Sequence, residues 1–262
     1  MNKSSKENLA RFGIATKGFV YCLIGGLTLM AAVGWGGTKG GGSEAFQKLA
    51  QEPFGQFLLI ITGLGLIAFV FWRMYQAFAD PEHKGDDFQG MVRRAGYFFS
   101  GSFYSVLAYT AIRIGSGSGA GSGGGKETLV AKLLSMENGQ ILVGVLGAIF
   151  LGKAIYQLYR AYSGKFKSKV DAARLGIKAR KVVLTSGKIG YTCRGIVIGI
   201  ISFLTFRAAV YADSSEAGGT KDAFSFIQSE FGTLVLALIA IGLFAYGVFM
   251  FIKSRYRRMA LT

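Results

Sequence analysis

Six apolar stretches, each about 20 residues long, constrain the fold of this 262-residue chain more than any other feature. They cover about half of the sequence and lie at about 13–33, 55–78, 95–115, 139–159, 189–210 and 232–252. A segment of about 20 apolar residues can cross the hydrocarbon core of a bilayer as an α-helix. The connections between the stretches have about 30 residues or fewer, which leaves no room for a soluble catalytic domain. The sequence therefore predicts an all-α membrane protein with six transmembrane helices.

Basic residues are distributed unevenly along the chain, whose net charge is +16. Of the 30 Lys and Arg residues, 19 fall in the two tails and in the 80–94 and 160–188 connections, whereas the other three connections hold 5. Lys and Arg collect on the cytoplasmic side of membrane helices. We therefore expect both termini to be cytoplasmic, and we attribute the basic character to topology and to attraction for anionic lipid headgroups, not to nucleic acid.

The sequence repeats itself three times, and each copy holds two of the six stretches. The first stretch of each copy opens with a basic residue and a glycine, followed by a second glycine at Gly18, Gly101 or Gly195. The second stretch opens at another glycine, which is Gly55, Gly139 or Gly232. The sequence therefore predicts a single membrane domain over 1–262, with repeats at 9–79, 92–163 and 186–256 and a basic cytoplasmic linker at 164–185.

Two membrane crossings return the chain to its starting side, so the three repeats share one orientation. Three hairpins of this kind can close into a pseudo-threefold ring, or they can stand in a linear row. Gly18, Gly101 and Gly195 begin stripes of small residues at helical spacing. Small residues let helices approach closely in lipid, which predicts helix packing; the alternative is a narrow lumen that these residues line.

The opening of the first repeat also resembles a known family. The run Leu9-Ala-Arg-Phe-Gly-Ile-Ala-Thr-Lys-Gly-Phe-Val-Tyr-Cys-Leu-Ile-Gly-Gly26 resembles the start of the bacterial repeats called DUF1206, a domain of unknown function, and Pro53–Phe69 resembles the second helix. The other two repeats lack this proline. The resemblance covers about residues 9–256. It implies three two-helix repeats and a bacterial cytoplasmic (inner) membrane, and it supplies no activity.

The residue types that membrane enzymes and proton-coupled carriers use are missing from the apolar stretches. All 14 acidic residues lie outside them, and His83, the single histidine, lies in the 80–94 connection. Intramembrane proton relays need carboxylates or histidines, and metal sites need clusters of such ligands. Cys22 and Cys193 fall at non-equivalent positions, which is typical of packing residues. We therefore expect no catalytic residues, no metal site and no cofactor, and we predict that the chain is not an enzyme.

An acidic residue follows the glycine-containing connection of each repeat. These residues are Glu44, Glu127 and Asp222. Each falls near the start of a short amphipathic segment, where a negative charge interacts favourably with the helix dipole. That local role explains the repetition, and a triad of carboxylates that binds a cation is the alternative.

Six basic residues lie inside the stretches, and two of them share a repeat position. Lys17 immediately precedes Gly18, and Arg194 immediately precedes the equivalent Gly195. Ser100 takes that position in the second repeat. In a ring the three side chains would lie at one depth, where two cations and a hydroxyl form a candidate site for an anion or a lipid headgroup. The alternative is that each basic side chain extends to headgroups by itself.

These observations favour a non-enzymatic scaffold or accessory subunit that binds anionic lipid or a partner membrane protein. The alternative is a small channel or facilitator for an anion, which would use the same basic residues. A membrane enzyme ranks third, because no nucleophile–base pair or metal-ligand cluster is present in the sequence. The expected partners are the anionic headgroups of membrane lipids and a second membrane protein.

Overall fold

The chain folds into α-helices throughout the part that the computed structural model describes, which is residues 3–81, 85–118, 125–166 and 177–256. The helices in these ranges are α1 (Lys3–Ala32), α2 (Gly42–Ala50), α3 (Gly55–Phe78), α4 (Phe88–Gly115), α5 (Gly125–Leu134), α6 (Gly139–Tyr162), α7 (Ile177–Tyr211) and α8 (Thr220–Tyr256). A 3₁₀ turn, Ser214–Glu216, precedes α8. The described ranges contain no strand, which confirms the all-α class.

Five of these helices are long and apolar enough to cross a membrane. They are α3, α6, α8, the Glu7–Ala32 part of α1 and the Arg180–Tyr211 part of α7. Helix α4 has 28 residues, but its serines, glycines and tyrosines lower its hydropathy below that of the other five. A multi-pass membrane protein fits these helices, and a sixth span at α4 stays a prediction.

The six long helices pack side by side in the order α4, α3, α1, α8, α7, α6. Three of these contacts join the second long helix of one repeat to the first long helix of another: α3 to α4, α6 to α7, and α8 to α1. The contacts α1 to α3 and α7 to α8 lie within repeats. Helices α4 and α6 belong to the second repeat, and they stand at the two ends of this order.

Aromatic side chains fill the space between the long helices. Tyr246 of α8 packs edge-to-face on Tyr21 of α1 and on Tyr191 of α7, with ring centres 4.8 and 5.2 Å apart. Phe69 of α3 packs in the same way on Tyr104 of α4, at 4.8 Å. All of these residues except Tyr21 are buried, and edge-to-face pairs are a favoured geometry for aromatic rings. The centre of the helix group is therefore packed with rings.

A short helix precedes the second long helix of each repeat, as α2, as α5, and as the first three turns of α8. The backbone between the short and the long helix has a positive φ in every copy. Phe54 (φ 59°) and Asn138 (φ 62°), the residues before the repeated glycine, are left-handed, whereas in the third copy the glycine itself, Gly232, has φ 82° and ψ 169°. In the first two copies the next residue is Gly55 or Gly139, where an added Cβ would collide with a carbonyl oxygen of the short helix. The repeated glycine thus turns the chain from the short helix into the long one.

Candidate functional site

Lys17 lies inside the helix group, although a lysine near a helix end commonly extends to lipid headgroups. It is 5% exposed, and its Nζ lies 5.0 Å from the ring centre of Phe69 and 4.8 Å from that of Tyr104. These rings belong to α3, which packs on α1, and to α4, which lies on the far side of α3, so the lysine extends inward from α1 toward both helices. Cation–π contacts of this kind contribute about 0.5–2 kcal/mol each. The side chain is therefore held by rings in the interior.

Arg194 occupies the same repeat position on α7 and makes similar contacts. Its guanidinium lies 5.2 Å from the ring centres of both Tyr21 and Tyr246, and its Nη1 donates a hydrogen bond of 3.1 Å to the Tyr246 hydroxyl. Its Nε is buried and has no hydrogen-bond partner among the described residues. A buried charged donor without a partner is costly, so this N–H is available for an acceptor that the chain does not supply.

Three further basic residues lie close enough to Lys17 to repel it. Besides Arg194, the cations that act on Lys17 are Arg73, Lys153 and Lys253. We call these five residues the cationic cluster. The guanidinium of Arg73 lies 5.0 Å from the ring centre of Phe69, so Lys17 and Arg73 share one ring.

No acidic side chain neutralises the cationic cluster from within the apolar segments, because none is present in them. Two like charges roughly 8 Å apart repel each other by about 2 kcal/mol at an effective dielectric constant of about 20. For Lys17 and Arg194, cation–π contacts stabilise each charge separately without cancelling the repulsion between the two. A bound anion would remove it and would also accept the free N–H of Arg194.

Ser100, the third residue of the predicted anion site, has a different position from the two cations. It is half-buried on α4, and within the described residues no hydrogen bond joins it to Lys17 or Arg194. The structure thus brings Lys17 and Arg194 into one cluster. The third member that contacts the same rings is Arg73 of α3 and not Ser100. Whether this set binds an anion stays a prediction.

The sequence comparison of the first helices missed several residues of the site, because these residues lie on the second helix of each repeat. When the second helices are aligned at their first glycines, Phe69, Lys153 and Tyr246 occupy equivalent positions. Phe69 and Tyr246 are the rings that contact Lys17 and Arg194, and Lys153 belongs to the cationic cluster. Arg160 also faces inward, with its guanidinium 4.8 Å from the ring centre of Tyr191. A comparison of the second helices would therefore have found these residues, because large side chains occupy this repeat position in all three copies.

The glycines Gly18, Gly101 and Gly195 each lie against a long helix of another repeat. A Cβ added to Gly18 would lie 2.9 Å from a carbonyl oxygen of α8, and one added to Gly101 would lie 3.3 Å from the Arg73 Cβ of α3. At Gly195 it would lie 2.9 Å from Leu158 of α6. These glycines lie at the three contacts between repeats, and the first of them lies against backbone.

The repeated acidic residues lie at the third position of the short helices. Asp222 accepts a hydrogen bond of 2.6 Å from the backbone N–H of Gly219, and the Glu44 side chain folds back over Gly40. This is the acidic half of a capping box. The side chain of Glu127 lies outside the described residues. Among those described, no group of three His, Cys, Asp or Glu side chains could hold a metal ion.

Arg207, a basic residue near the end of the fifth apolar stretch, has an acidic partner in the following connection. Arg207 Nη2 lies 2.8 Å from an oxygen of Glu216 in the 3₁₀ turn. The turn folds back onto the end of α7, a path that no motif in the sequence indicates. Cys22 and Cys193 are both free thiols, and Cys193 is buried.

A second basic area lies where α6 ends and α7 begins, next to the predicted linker at 164–185. A cavity of about 490 Å³ is lined there by Tyr162, Arg180, Lys181 and Lys188, among others. The Nζ of Lys188 lies 5.0 Å from the ring centre of Tyr162. Residues 167–176 of that linker lie outside the described ranges.

The chain was compared with protein families, with curated proteins and with solved structures. The sequence model of DUF1206, described as a Domain of Unknown Function, matches three times, at residues 12–80, 95–164 and 189–257. The uncharacterized protein YxxB of Bacillus subtilis (strain 168) is 32% identical over 254 residues, which are 97% of this chain and 92% of the relative. No solved structure matches. The three matches coincide with the three pairs of long helices, and the chain therefore belongs to the DUF1206 family.

Proposed function

We propose that this protein is a non-enzymatic scaffold or accessory subunit of the bacterial inner membrane that binds an anionic lipid through its cationic cluster. The observation that carries the proposal is the convergence of four other basic residues on Lys17, in apolar segments without an acidic residue. Two of the four, Arg73 and Arg194, are linked to the rings that hold Lys17: Phe69 lies against both Lys17 and Arg73, and the hydroxyl of Tyr104 lies 3.4 Å from that of Tyr21, the ring under Arg194. Phosphate oxygens accept charge-assisted hydrogen bonds from Lys and Arg, and Arg can bind them in a bidentate manner. A lipid phosphate therefore has the chemistry to bind Lys17 and Arg194 together.

The proposal includes six spans in a pseudo-threefold arrangement, with both termini in the cytoplasm. The arrangement is supported by the contacts α3 to α4, α6 to α7 and α8 to α1, which repeat one interface around the three copies. The topology is supported by the excess of Lys and Arg in the tails and in the 80–94 and 160–188 connections. With this topology the cationic cluster lies toward the cytoplasmic leaflet, where anionic lipid is a ready ligand.

An anion channel is the less supported function, because rings occupy the centre of the helix group. Lys17 lies against Phe69 and Tyr104, and Tyr21 contacts both Tyr246 and Arg194, so these side chains fill the space in which a pore would have to run. The channel is tested by anion efflux from liposomes that contain the purified protein. If the parent protein releases anions from the liposomes and Lys17→Ala does not, the protein is an anion channel and the lipid-binding proposal is wrong.

The test of lipid binding is native mass spectrometry of the purified protein with phosphatidylglycerol. We expect retained phosphatidylglycerol in the parent protein and its loss in Lys17→Ala and Arg194→Ala. Arg113→Ala is the matched control, because Arg113 is an exposed basic residue of α4 and lies outside the cationic cluster. A parallel sample receives inorganic phosphate in place of lipid. Equal lipid retention in all variants would overturn the proposal, and retention of phosphate alone would make the ligand a soluble anion.

A further inference from the structure

Within the first repeat, and likewise within the third, the two long helices touch each other, and the points of contact are equivalent. A Cβ added to Gly13 would lie 2.5 Å from the backbone N of Phe69, and one added to Gly190 would lie 2.5 Å from the Cβ of Tyr246. These two pairs occupy the same positions in their repeats. In both repeats the absence of a side chain on the first helix thus allows the main chain of the second helix, at Phe69 or Tyr246, to lie directly on its backbone.

A second equivalent contact lies one turn further along. Gly65 of α3 accepts the side chain of Thr16, and Gly242 of α8 accepts the side chain of Cys193. Each contact pairs a glycine with a small residue, which keeps the two helices close. The first and third hairpins are therefore closed by two contacts each.

The second repeat makes neither contact. Nothing lies within 4 Å of the position that a Cβ on Gly96 would take, although Gly96 is equivalent to Gly13 and Gly190. At the second contact the residues are Phe99 and Ile149, which are 63% and 50% exposed. Helices α4 and α6 consequently stand apart, and we call the space between them the seam.

The sequence of the second repeat explains why the seam is open. Phe99 and Ile149 are too large to replace a small residue and a glycine at a close helix contact. Lys153 stands where the other repeats have Phe69 and Tyr246, and a close approach of the two helices at this point would remove its charge from solvent, which is costly. Lys153 instead stays exposed, with its Nζ 5.9 Å from the ring centre of Phe103.

The seam has the chemistry of a lipid site. Its walls are exposed apolar side chains, among them Phe99, Phe103 and Ile149, and it leads to a basic residue, Lys153, that belongs to the cationic cluster. A second copy of the chain fits it poorly, because its apolar segments contain no acidic residue and would bring more positive charge. An anionic lipid offers both acyl chains for the walls and a phosphate for the cations.

We propose that the seam between α4 and α6 is the lateral entrance to the cationic cluster, with the acyl chains of an anionic lipid between the two helices and its phosphate on Lys153 and the residues behind it. This inference rests on the proposed lipid-binding function and names the route and the place of the lipid. It assigns the second repeat a role that the first and third repeats, whose hairpins are closed, do not share.

The test places a photo-crosslinking residue, benzoylphenylalanine, at Ile149 in the seam. Leu64 and Ile241 are matched controls, because each is one residue from the position equivalent to Ile149 and is similarly exposed, at 54% and 49%. Each variant is reconstituted in vesicles of equal parts phosphatidylglycerol and phosphatidylcholine and illuminated, and the attached lipids are counted by mass spectrometry. We expect the ratio of phosphatidylglycerol to phosphatidylcholine to be about fivefold higher at Ile149, the factor that one basic residue contributes at an anionic membrane surface.

The outcomes separate the seam from the cluster. If the three positions give the same ratio while Lys17→Ala still loses phosphatidylglycerol, the cluster binds lipid by another route and the seam inference is wrong. If Lys17→Ala and Arg194→Ala retain lipid as the parent does, the proposed function fails. A crosslink from Ile149 to a second copy of the chain, in place of lipid, would make the seam an interface between copies and overturn the inference.

Discussion

Alanine substitutions at three equivalent glycines test whether one hairpin differs from the other two. A Cβ at Gly13 or Gly190 would lie 2.5–2.6 Å from Cα, Cβ or backbone N atoms of the facing helix, whereas a Cβ at Gly96 would meet nothing within 4 Å. Main-chain atoms of a packed helix cannot rotate away, so the collision must be relieved by moving the helices apart. The three substitutions are chemically identical, and only their surroundings differ.

The magnitudes follow from two opposing effects. Ala is about 1 kcal/mol more favourable than Gly inside a helix, so Gly96→Ala should stabilise the protein by about that amount. Overpacking costs about 1–3 kcal/mol, and the upper end applies where backbone is struck, so Gly13→Ala and Gly190→Ala should destabilise it by about 2 kcal/mol net. The predicted difference in the free energy of unfolding between Gly96→Ala and the other two is thus about 3 kcal/mol.

The assay is thermal unfolding of the purified protein in one detergent, followed by circular dichroism. A chain of this size shifts by about 2–4 °C per kcal/mol, so Gly13→Ala and Gly190→Ala should melt at least about 6 °C below Gly96→Ala. If Gly96→Ala is as destabilising as the other two, α4 and α6 pack like the other hairpins, and the argument for an open seam is refuted. If all three are neutral, the close contacts at Phe69 and Tyr246 are wrong as well.

Three further predictions concern the connections. Gly232 has φ 82° and ψ 169°, a region that other residues avoid, so Gly232→Ala should cost about 1–3 kcal/mol in the same unfolding assay, and an unchanged melting temperature would contradict the junction geometry. The pKa of Asp213 is lowered by the hydrogen bonds from Ser215, so its stabilisation of the turn should be present above the unfolded-state pKa and lost as the pH falls through the lower folded-state value. The protection of the Ser215 amide, which compares its exchange rate with that of an unfolded peptide at the same pH, should therefore fall only at acid pH, and constant protection would contradict the prediction. On a background without the two native cysteines, Ser118→Cys should react with an impermeant maleimide applied from the periplasm and Ser163→Cys should not, and the reverse pattern would invert the topology.

The sequence alone determined the helices, their grouping into three hairpins and several local features. Apolar length specified the long helices, and repeated glycines marked the points where a short helix turns into a long one. The sequence also placed an acidic residue near the start of each short segment, and in the third copy Asp222 accepts a hydrogen bond from the backbone N–H of Gly219. These features depend on neighbouring residues in the chain, so the local pattern contains the information that specifies them.

Only the tertiary structure decided which faces of the helices meet. Lipid is as apolar as a protein core, so hydropathy does not distinguish a side chain that faces lipid from one that faces another helix. For this reason the sequence left open whether Lys17 extends to headgroups or turns inward, and it grouped Ser100 with the cations where the structure has Arg73. The open seam likewise depends on residues about 50 positions apart, Phe99 and Ile149, whose mismatch with the other repeats has a meaning only once the helices are placed side by side.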